Sequence, residues 1–343
     1  MRVDVAIVGA GPAGSACAIS LCSRASVALI EASRFDAPRL GETLSPAARP
    51  ILRHLGVHLE GHAEAHGTAA AWGSTSVQEN DYLFLARGPG WHLDRARFDA
   101  MLAERAAECG ATLLFGVSVQ DARPGWHLTL SDGSSLEARC LVDATGNASI
   151  ATRFCGARVE AFDHLISFGR FYDDVSSSDP RTIVEAFEHG WWYTAPVPNR
   201  RRFVACITEA AVARRLRLHD ETSWTHLLSA MPLVGSIASA ASTPTPIVAR
   251  ACGSQRLHPV AGPDWIAVGD AASRFDPLSS VGITKAMRSG IFASYAIGDP
   301  TGLRRYEHFI RAEFDAYLQT RAKVYADERR WPGSEFWSVR RAS

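Results

Sequence analysis

Apolar residues occupy nearly every position from 3 to 8, and the turn Gly9-Ala10-Gly11-Pro12-Ala13-Gly14 follows at once. A short unbroken apolar run that ends at glycine reads as a strand buried on both faces. The order strand 3–8, helix 12–23, strand 26–31 is a βαβ start to a parallel sheet. Ser45-Pro46 reads as an N-cap with proline at the first helical position, and Gly56 stops that short helix. Residues 69–88, with Trp72 and the alternating run 82–86, predict one or two strands of a second sheet. The stretch 93–109 is an amphipathic helix with Phe98, Met101, Leu102 and Ala106 on one face. A strand follows at 113–119. Strands 126–130 and 136–142 flank the hairpin turn Ser131-Asp132-Gly133.

From about 154 to 250 the pattern changes. Alternating segments at 165–171, 191–196 and 203–208 predict an antiparallel sheet, interrupted by a helical stretch at 222–230. Residues 303–330 read as one long helix leading into the aromatic tail Trp331-Pro332-Gly333-Ser334-Glu335-Phe336-Trp337. No internal repeat or low-complexity stretch is visible.

Composition narrows the function. Among 343 residues Lys+Arg and Asp+Glu both total 36, so no net charge draws the chain to nucleic acid or anionic lipid. No apolar run is long enough to span a bilayer, and Met1 leads straight into the first strand with no signal peptide. The seven cysteines show no C-x-x-C pairing, as expected in a reducing compartment. A cytoplasmic protein with no membrane or nucleic-acid partner is therefore expected. Only Lys285 and Lys323 are lysines. His54, His58, His62 and His66 fall at helical spacing, but Gly56 and Gly61 interrupt that helix and no metal is expected.

Three separated motifs point to one cofactor. The first, Gly9, Gly11, Pro12, Ala13 and Gly14, sits between strand and helix, where unpaired N–H groups and the helix dipole favour a pyrophosphate. Glu31, at about the expected 20-residue distance, suits adenosine ribose hydroxyls. The second is Leu141-Val142-Asp143-Ala144-Thr145-Gly146, another strand ending in a glycine turn. The third is Trp265-Ile266-Ala267-Val268-Gly269-Asp270-Ala271-Ala272, followed by Asp276-Pro277 and Gly282-Ile283. A nicotinamide-binding domain has no use for a second acidic strand end so far along the chain. A flavin, extended across the domain, does. Non-covalent FAD is expected.

The third motif resembles the flavin-contacting segment of the para-hydroxybenzoate hydroxylase superfamily. The resemblance implies that Asp270 binds the ribityl chain and that Pro277, Gly282 and Ile283 bring backbone close to the ring. Arg39-Leu40-Gly41-Glu42-Thr43-Leu44-Ser45-Pro46 is similar to the Gly-Glu-Ser/Thr-x-x-Pro segment of flavin-dependent halogenases, which adds Arg39 and Thr43 as flavin contacts. Arg95 matches an arginine that such flavoproteins set against FAD. Val119 and Gly146 complete the expected cofactor set.

The halogenase resemblance has departures. Gly190-Trp191-Trp192-Tyr193-Thr194-Ala195-Pro196 resembles the Trp-x-Trp-x-Ile-Pro motif, yet Tyr193 and Ala195 break it. The lysine that halogenases use to form or guide the halogenating species has no counterpart before residue 285. A closer resemblance, over nearly the whole chain, is to maturation flavoproteins of quinone-cofactor oxidases and dehydrogenases. It is carried by Gly90-Trp91-His92-Leu93-Asp94-Arg95, Gly190-Trp191-Trp192-Tyr193, Arg274-Phe275-Asp276-Pro277-Leu278-Ser279-Ser280 and Glu328-Arg329-Arg330-Trp331-Pro332. Val281 stands where that family often has glutamine.

That family hydroxylates a tryptophan in a protein precursor on the way to cysteine tryptophylquinone. It implies a monooxygenase working through a flavin C4a-hydroperoxide on peptidyl tryptophan, with NAD(P)H or an external flavin reductase as electron donor. Trp191, Trp192 and Tyr193 would line the ring pocket, and Glu42 would orient substrate or accept a proton. The expected architecture is an α/β Rossmann-like FAD-binding domain (1–68, 91–153, 249–300) interleaved with an antiparallel-sheet substrate domain (69–90, 154–248), then a C-terminal helix and tail (301–343). Two alternatives remain open: a halogenase or other aromatic oxidoreductase, and a non-catalytic FAD-binding assembly factor.

Overall fold

Five strands pair in parallel in the order Trp265–Ala267, Ser135–Asp143, Arg2–Val8, Val27–Glu31, Thr112–Phe115. The computed structural model describes every residue except 38, 40, 83–87, 174–178, 239–242 and 343. Strand Arg2–Val8 lies mid-sheet because the chain builds outward on one side first and on the other later. Strand order therefore reverses between Arg2–Val8 and Ser135–Asp143, whose ends align at Val8 and Asp143. A crevice at the carboxyl ends of such a reversal is where open α/β sheets bind ligands.

The apolar run that predicted the first strand is buried through Val5, Ala6, Ile7 and Val8. Helix Pro12–Leu21 is almost entirely buried, wedged between this sheet and helix Gly282–Ala296. Two glycines permit that fit. A Cβ on Gly14 would lie 1.9 Å from the Gly9 carbonyl oxygen, and one on Gly290 would lie 2.1 Å from that of Ala13.

The second sheet runs Thr243–Pro244, Leu165–Asp173, Arg201–Glu209, Gly190–Val197, Thr182–Phe187, Gly67–Ala71, Gln78–Asp81, with Val248–Ala251 also pairing Leu165–Asp173. The α/β class and the two sheets are as expected. The sheet is not wholly antiparallel, however. Gly67–Ala71 pairs parallel to Thr182–Phe187, matching Thr68 to Thr182 and Ala71 to Glu185. The predicted strand 82–86 lies almost wholly outside the described residues, since only Tyr82 is described. The predicted strand 113–119 is two strands, Thr112–Phe115 and Val119–Arg123, parted at Gly116 with φ 72°.

Helix Pro300–Asp327 packs on helix Gly282–Ala296 and, through Tyr325, against the second sheet, and the aromatic tail continues into helix Glu335–Ala342. Trp337 is fully buried and Phe336 nearly so, with Trp72 and Tyr325 around them. The tail is core.

Backbone-to-backbone contact at Gly290 makes a direct prediction. Gly290→Ala places a methyl against the Ala13 carbonyl and is expected to destabilise the chain by about 1–3 kcal/mol, the usual cost of overpacking. Urea unfolding measures it. An unchanged midpoint would show that the two helices do not approach this closely.

Candidate active site

The crevice opens into a cavity of about 1200 Å³ that runs from the parallel sheet to the inner face of the second sheet. Its volume exceeds the roughly 300–1,000 Å³ typical of a single-ligand pocket, which leaves room for a cofactor and a ring. Its sheet end is lined by Gly9, Gly11, Pro12, Ala13, Glu31, Val119 and Gly146, and its middle by Arg39, Glu42, Thr43, Arg95, Asp270, Pro277, Gly282 and Ile283. All the expected cofactor residues but one thus share one cavity. Gly14 does not line it and acts in packing.

The residues fit a dinucleotide. Gly11 is the N-cap of helix Pro12–Leu21 with no side chain capping the first turn, so its N–H groups face the cavity unpaired. Nothing lies within 4 Å of where a Gly11 Cβ would stand. A phosphate can therefore approach the backbone and the positive end of the helix dipole. The Glu31 carboxylate accepts from Ala10 N at 2.9 Å and from Arg39 at 2.9 Å, which fixes it at the sheet end of the cavity. Arg39 and Arg95 both pair with buried Asp99, and Arg95 also donates to the Gly41 carbonyl. Asp143 is buried and accepts from Thr145 and from Ala151 N, which shapes the Ala144-Thr145-Gly146 turn.

Asp270 faces the cavity, backed by Lys285. The Lys285 ammonium is buried, reaches the Ser273 carbonyl and lies 3.2 Å from an Asp270 oxygen. Burial pulls its pKa down while Asp270 opposes the shift. The other lysine, Lys323, is exposed on helix Pro300–Asp327, and neither lines the cavity.

The far wall is the inner face of strands Leu165–Asp173, Gly190–Val197 and Arg201–Glu209. Phe171, Trp191, Tyr193, Phe203 and Ile207 line it. The expectation that Trp191, Trp192 and Tyr193 pack together along the pocket is corrected here. Successive strand residues point to opposite faces, so Trp192 is turned away. It lies fully buried against Trp224 at a ring distance of 4.9 Å, under the helices on the outer face. Trp191 donates to the Tyr325 hydroxyl at 3.2 Å, and that hydroxyl donates to Asp276 at 2.6 Å. Helix Pro300–Asp327 thus ties the aromatic wall to the loop beside Pro277.

Glu42 is 2% exposed and sits between these walls. Burial raises its pKa to about 7, against the opposing effects of Arg95, the Gly41 N–H and the Tyr193 hydroxyl. Burial, then the charge of Glu42, drives the Tyr193 phenol upward. Tyr193 OH is 3.0 Å from Thr43 Oγ1, which is 2.8 Å from Thr182 Oγ1 and 3.5 Å from His92 Nδ1. Burial lowers the His92 pKa to about 4, so this network is uncharged beyond Glu42 at neutral pH. Sequence reasoning missed Thr182, His92, Phe171 and Phe203. The last two carried a readable signal in the strand alternation that also exposes Trp191 and Tyr193.

The model of the tryptophan halogenase family matches residues 61–343. The chain belongs to that family. It is 28% identical over 99% of its length to a protein named as the FAD-dependent oxidoreductase LodB of Marinomonas mediterranea, 97% of which is covered. It is 28% identical, over 86% of the chain and 77% of the relative, to the 1H-pyrrole-2-carbonyl-[peptidyl-carrier protein] brominase of Pseudoalteromonas luteoviolacea.

Among solved structures, the myxobacterial chondrochloren halogenase CndH superposes with TM-score 0.90 at 22% identity, covering 99% of this chain and 86% of that one. The peptidyl tryptophan dihydroxylase QhpG superposes with TM-score 0.79 at 24% identity, covering 99% and 79%. These two establish the shared fold. Family and cradle together make the protein an FAD-dependent enzyme, as expected. Among the described residues no helix is long and apolar enough to cross a membrane.

The open space at Gly11 generates a two-sided prediction. Gly11→Ala should leave the stability of the flavin-free protein within about 0.5 kcal/mol, because nothing is displaced. FAD should nonetheless bind at least about tenfold more weakly, a cost of about 1.4 kcal/mol, because the methyl stands where phosphate approaches. Flavin titration followed by fluorescence reads the second effect, and unaltered affinity would remove the phosphate from this turn.

Proposed function

We propose that the protein uses reduced FAD and dioxygen to place an oxygen atom on an electron-rich aromatic ring, the indole of a tryptophan within a peptide. The single observation that carries this reading is the ring-facing wall. It offers Trp191, Tyr193, Phe171 and Phe203 with Glu42 alongside, and neither of the chain's two lysines lines the cavity. The bound flavin supplies the activated oxygen. One oxygen atom goes to the ring and the other leaves as water, with two electrons drawn from NAD(P)H directly or through a flavin reductase. Residues 69–90 and 154–248 serve as the substrate unit, and 1–68, 91–153 and 249–300 as the flavin unit.

The protein's own groups position the ring, keep water out and handle one proton. Electrophilic attack leaves a proton on the attacked carbon, and a base must remove it to restore aromaticity. Glu42 is suited to that step because, with a pKa of about 7, it is substantially ionised at neutral pH yet basic enough to accept. Tyr193 holds the carboxyl in place and links it to Thr43. A substrate held by a macromolecule is in keeping with QhpG, named for peptidyl tryptophan, and with the brominase, named for a carrier-bound pyrrole.

Halogenation is the second reading. The family's name, the brominase and CndH favour it over hydroxylation, so these likenesses back it better than the first reading. It would use the same cavity and the same base. The cavity's lack of a lysine is what ranks it second.

The decisive measurement is mass spectrometry of a tryptophan-bearing peptide after turnover with reduced flavin, in buffers with and without chloride and bromide. A gain of oxygen indifferent to halide is expected. A halogenated product would install the second reading. For Glu42, kcat should rise with pH through about 7, because only the deprotonated carboxylate accepts. Glu42→Gln should lower kcat by about 10²- to 10⁴-fold and remove that limb. A retained limb would assign the base elsewhere.

A further inference from the structure

Strand Val248–Ala251 forms a rim of the cavity, and all four of its residues are exposed. It pairs antiparallel with Leu165–Asp173, matching Val248 to Gly169, Ala249 to Phe168, Arg250 to Ser167 and Ala251 to Ile166. Just beyond it, Cys252 N donates to Leu165 O at 2.9 Å. Hydrogen-bonded and non-bonded pairs alternate along an antiparallel ladder. Arg250 and Val248 therefore turn their backbone groups toward the neighbouring strand, whereas Ala249 and Ala251 turn theirs outward. Two contacts agree with this phase. The Arg250 guanidinium donates to the Ala249 carbonyl at 3.0 Å, and Asn147 Nδ2 reaches the Ala251 carbonyl at 3.4 Å. Among the described residues no strand pairs with this outer edge, and no hydrogen bond uses the Ala249 N–H. An exposed edge of this kind is normally blunted in native proteins.

We propose that this edge docks the substrate as an added strand: an extended, acidic, tryptophan-bearing peptide that pairs its backbone with the outward N–H of Ala249 and takes the place of the Arg250 guanidinium on the Ala249 carbonyl. The tryptophan rests on the reading given under Proposed function; the strand pairing does not. Residues directly opposite each other across a strand pair share a face. Val248 and Arg250 both line the cavity, so the peptide residues facing them point toward it too. The residue opposite Val248 sends its ring inward. The one opposite Arg250, two positions away, is an acid. Charge favours that choice: Arg250 and Arg274 line this side of the cavity, Arg170 beside them is already paired with Glu221, and among the described residues the wall from Ser167 to Cys252 holds no carboxylate. Main-chain pairing supplies affinity for any extended segment, and the inward pocket supplies selection.

The test uses the flavin-loaded full chain and a short fluorescein-labelled synthetic peptide carrying one tryptophan with aspartate two positions away. Anisotropy gives affinity without turnover, so the result is independent of which atom the enzyme transfers. Ala249→Pro deletes the outward N–H and spares the ladder bonds, and proline is tolerated on edge strands. It should weaken the peptide at least tenfold while flavin occupancy stays constant. Arg250→Glu should weaken this peptide and favour one with lysine in place of aspartate. The wild-type chain with peptides N-methylated one residue at a time should lose binding at alternate positions. Hydrogen exchange should slow at Ala249 when peptide is added. Equal affinity for every N-methylated peptide, unprotected Ala249, or a concentration-dependent dimer closed through this edge would overturn the proposal. A peptide that docks but gains no oxygen would leave the docking intact and remove the oxygenation reading.

Discussion

The site depends on how closely one helix can approach its neighbours. Helix Pro12–Leu21 is held by backbone contact on both sides, through Gly14 to the Gly9 turn and through Gly290 to the Ala13 carbonyl. Larger residues there would push the helix outward and move its N-terminus off the crevice. With the helix in place, its uncapped first turn points at the switch between strands Arg2–Val8 and Ser135–Asp143. Helix Gly282–Ala296 then carries Lys285 beneath Asp270 and presents Gly282 and Ile283 to the cavity. The cofactor cradle is thus a consequence of packing, and three sequence motifs become one site because two helices touch.

At the other wall the governing constraint is burial of charge. Glu42 lies in a nearly dry position where a full negative charge is costly, and Arg95 and the Tyr193 hydroxyl only partly offset that cost. The outcome is a carboxyl poised to exchange a proton near neutrality. The lysines, which could have lowered its pKa further, are elsewhere: one neutralises Asp270 and the other is in solvent. The cavity's cations are arginines, and Arg95 is the one whose charge acts on Glu42, beside the aromatic wall.

The cofactor half was legible because its information is local. A strand, a glycine turn and a helix adjoin in sequence, and Glu31, Arg39, Asp270 and Pro277 each follow a recognisable segment. The ring wall was legible only in part. Trp191 and Tyr193 were identified, but Trp192 was grouped with them although period-two alternation sends it behind the sheet to Trp224. The network of Thr43, Tyr193, Thr182 and His92 joins four segments distant along the chain, and no spacing rule announces it. The break at Gly116 within 113–119 was hidden because the apolar pattern continues through Val117 while the backbone turns.

The aromatic tail completes this logic. A run of Trp331, Phe336 and Trp337 after a long polar helix resembles a loose end. In the fold it is what fixes helix Pro300–Asp327 against the second sheet. That helix delivers Tyr325 to a point where it accepts from Trp191 and donates to Asp276, and delivers Arg321 to the same buried acid and to Asp163. Asp276 in turn caps the short turn that begins at Pro277. The distance between the aromatic wall and the loop at Pro277 is therefore set by a residue 49 positions beyond Asp276 and 134 beyond Trp191, through one hydroxyl that bonds to both. Burial of the tail and alignment of the site are the same packing event seen from its two ends.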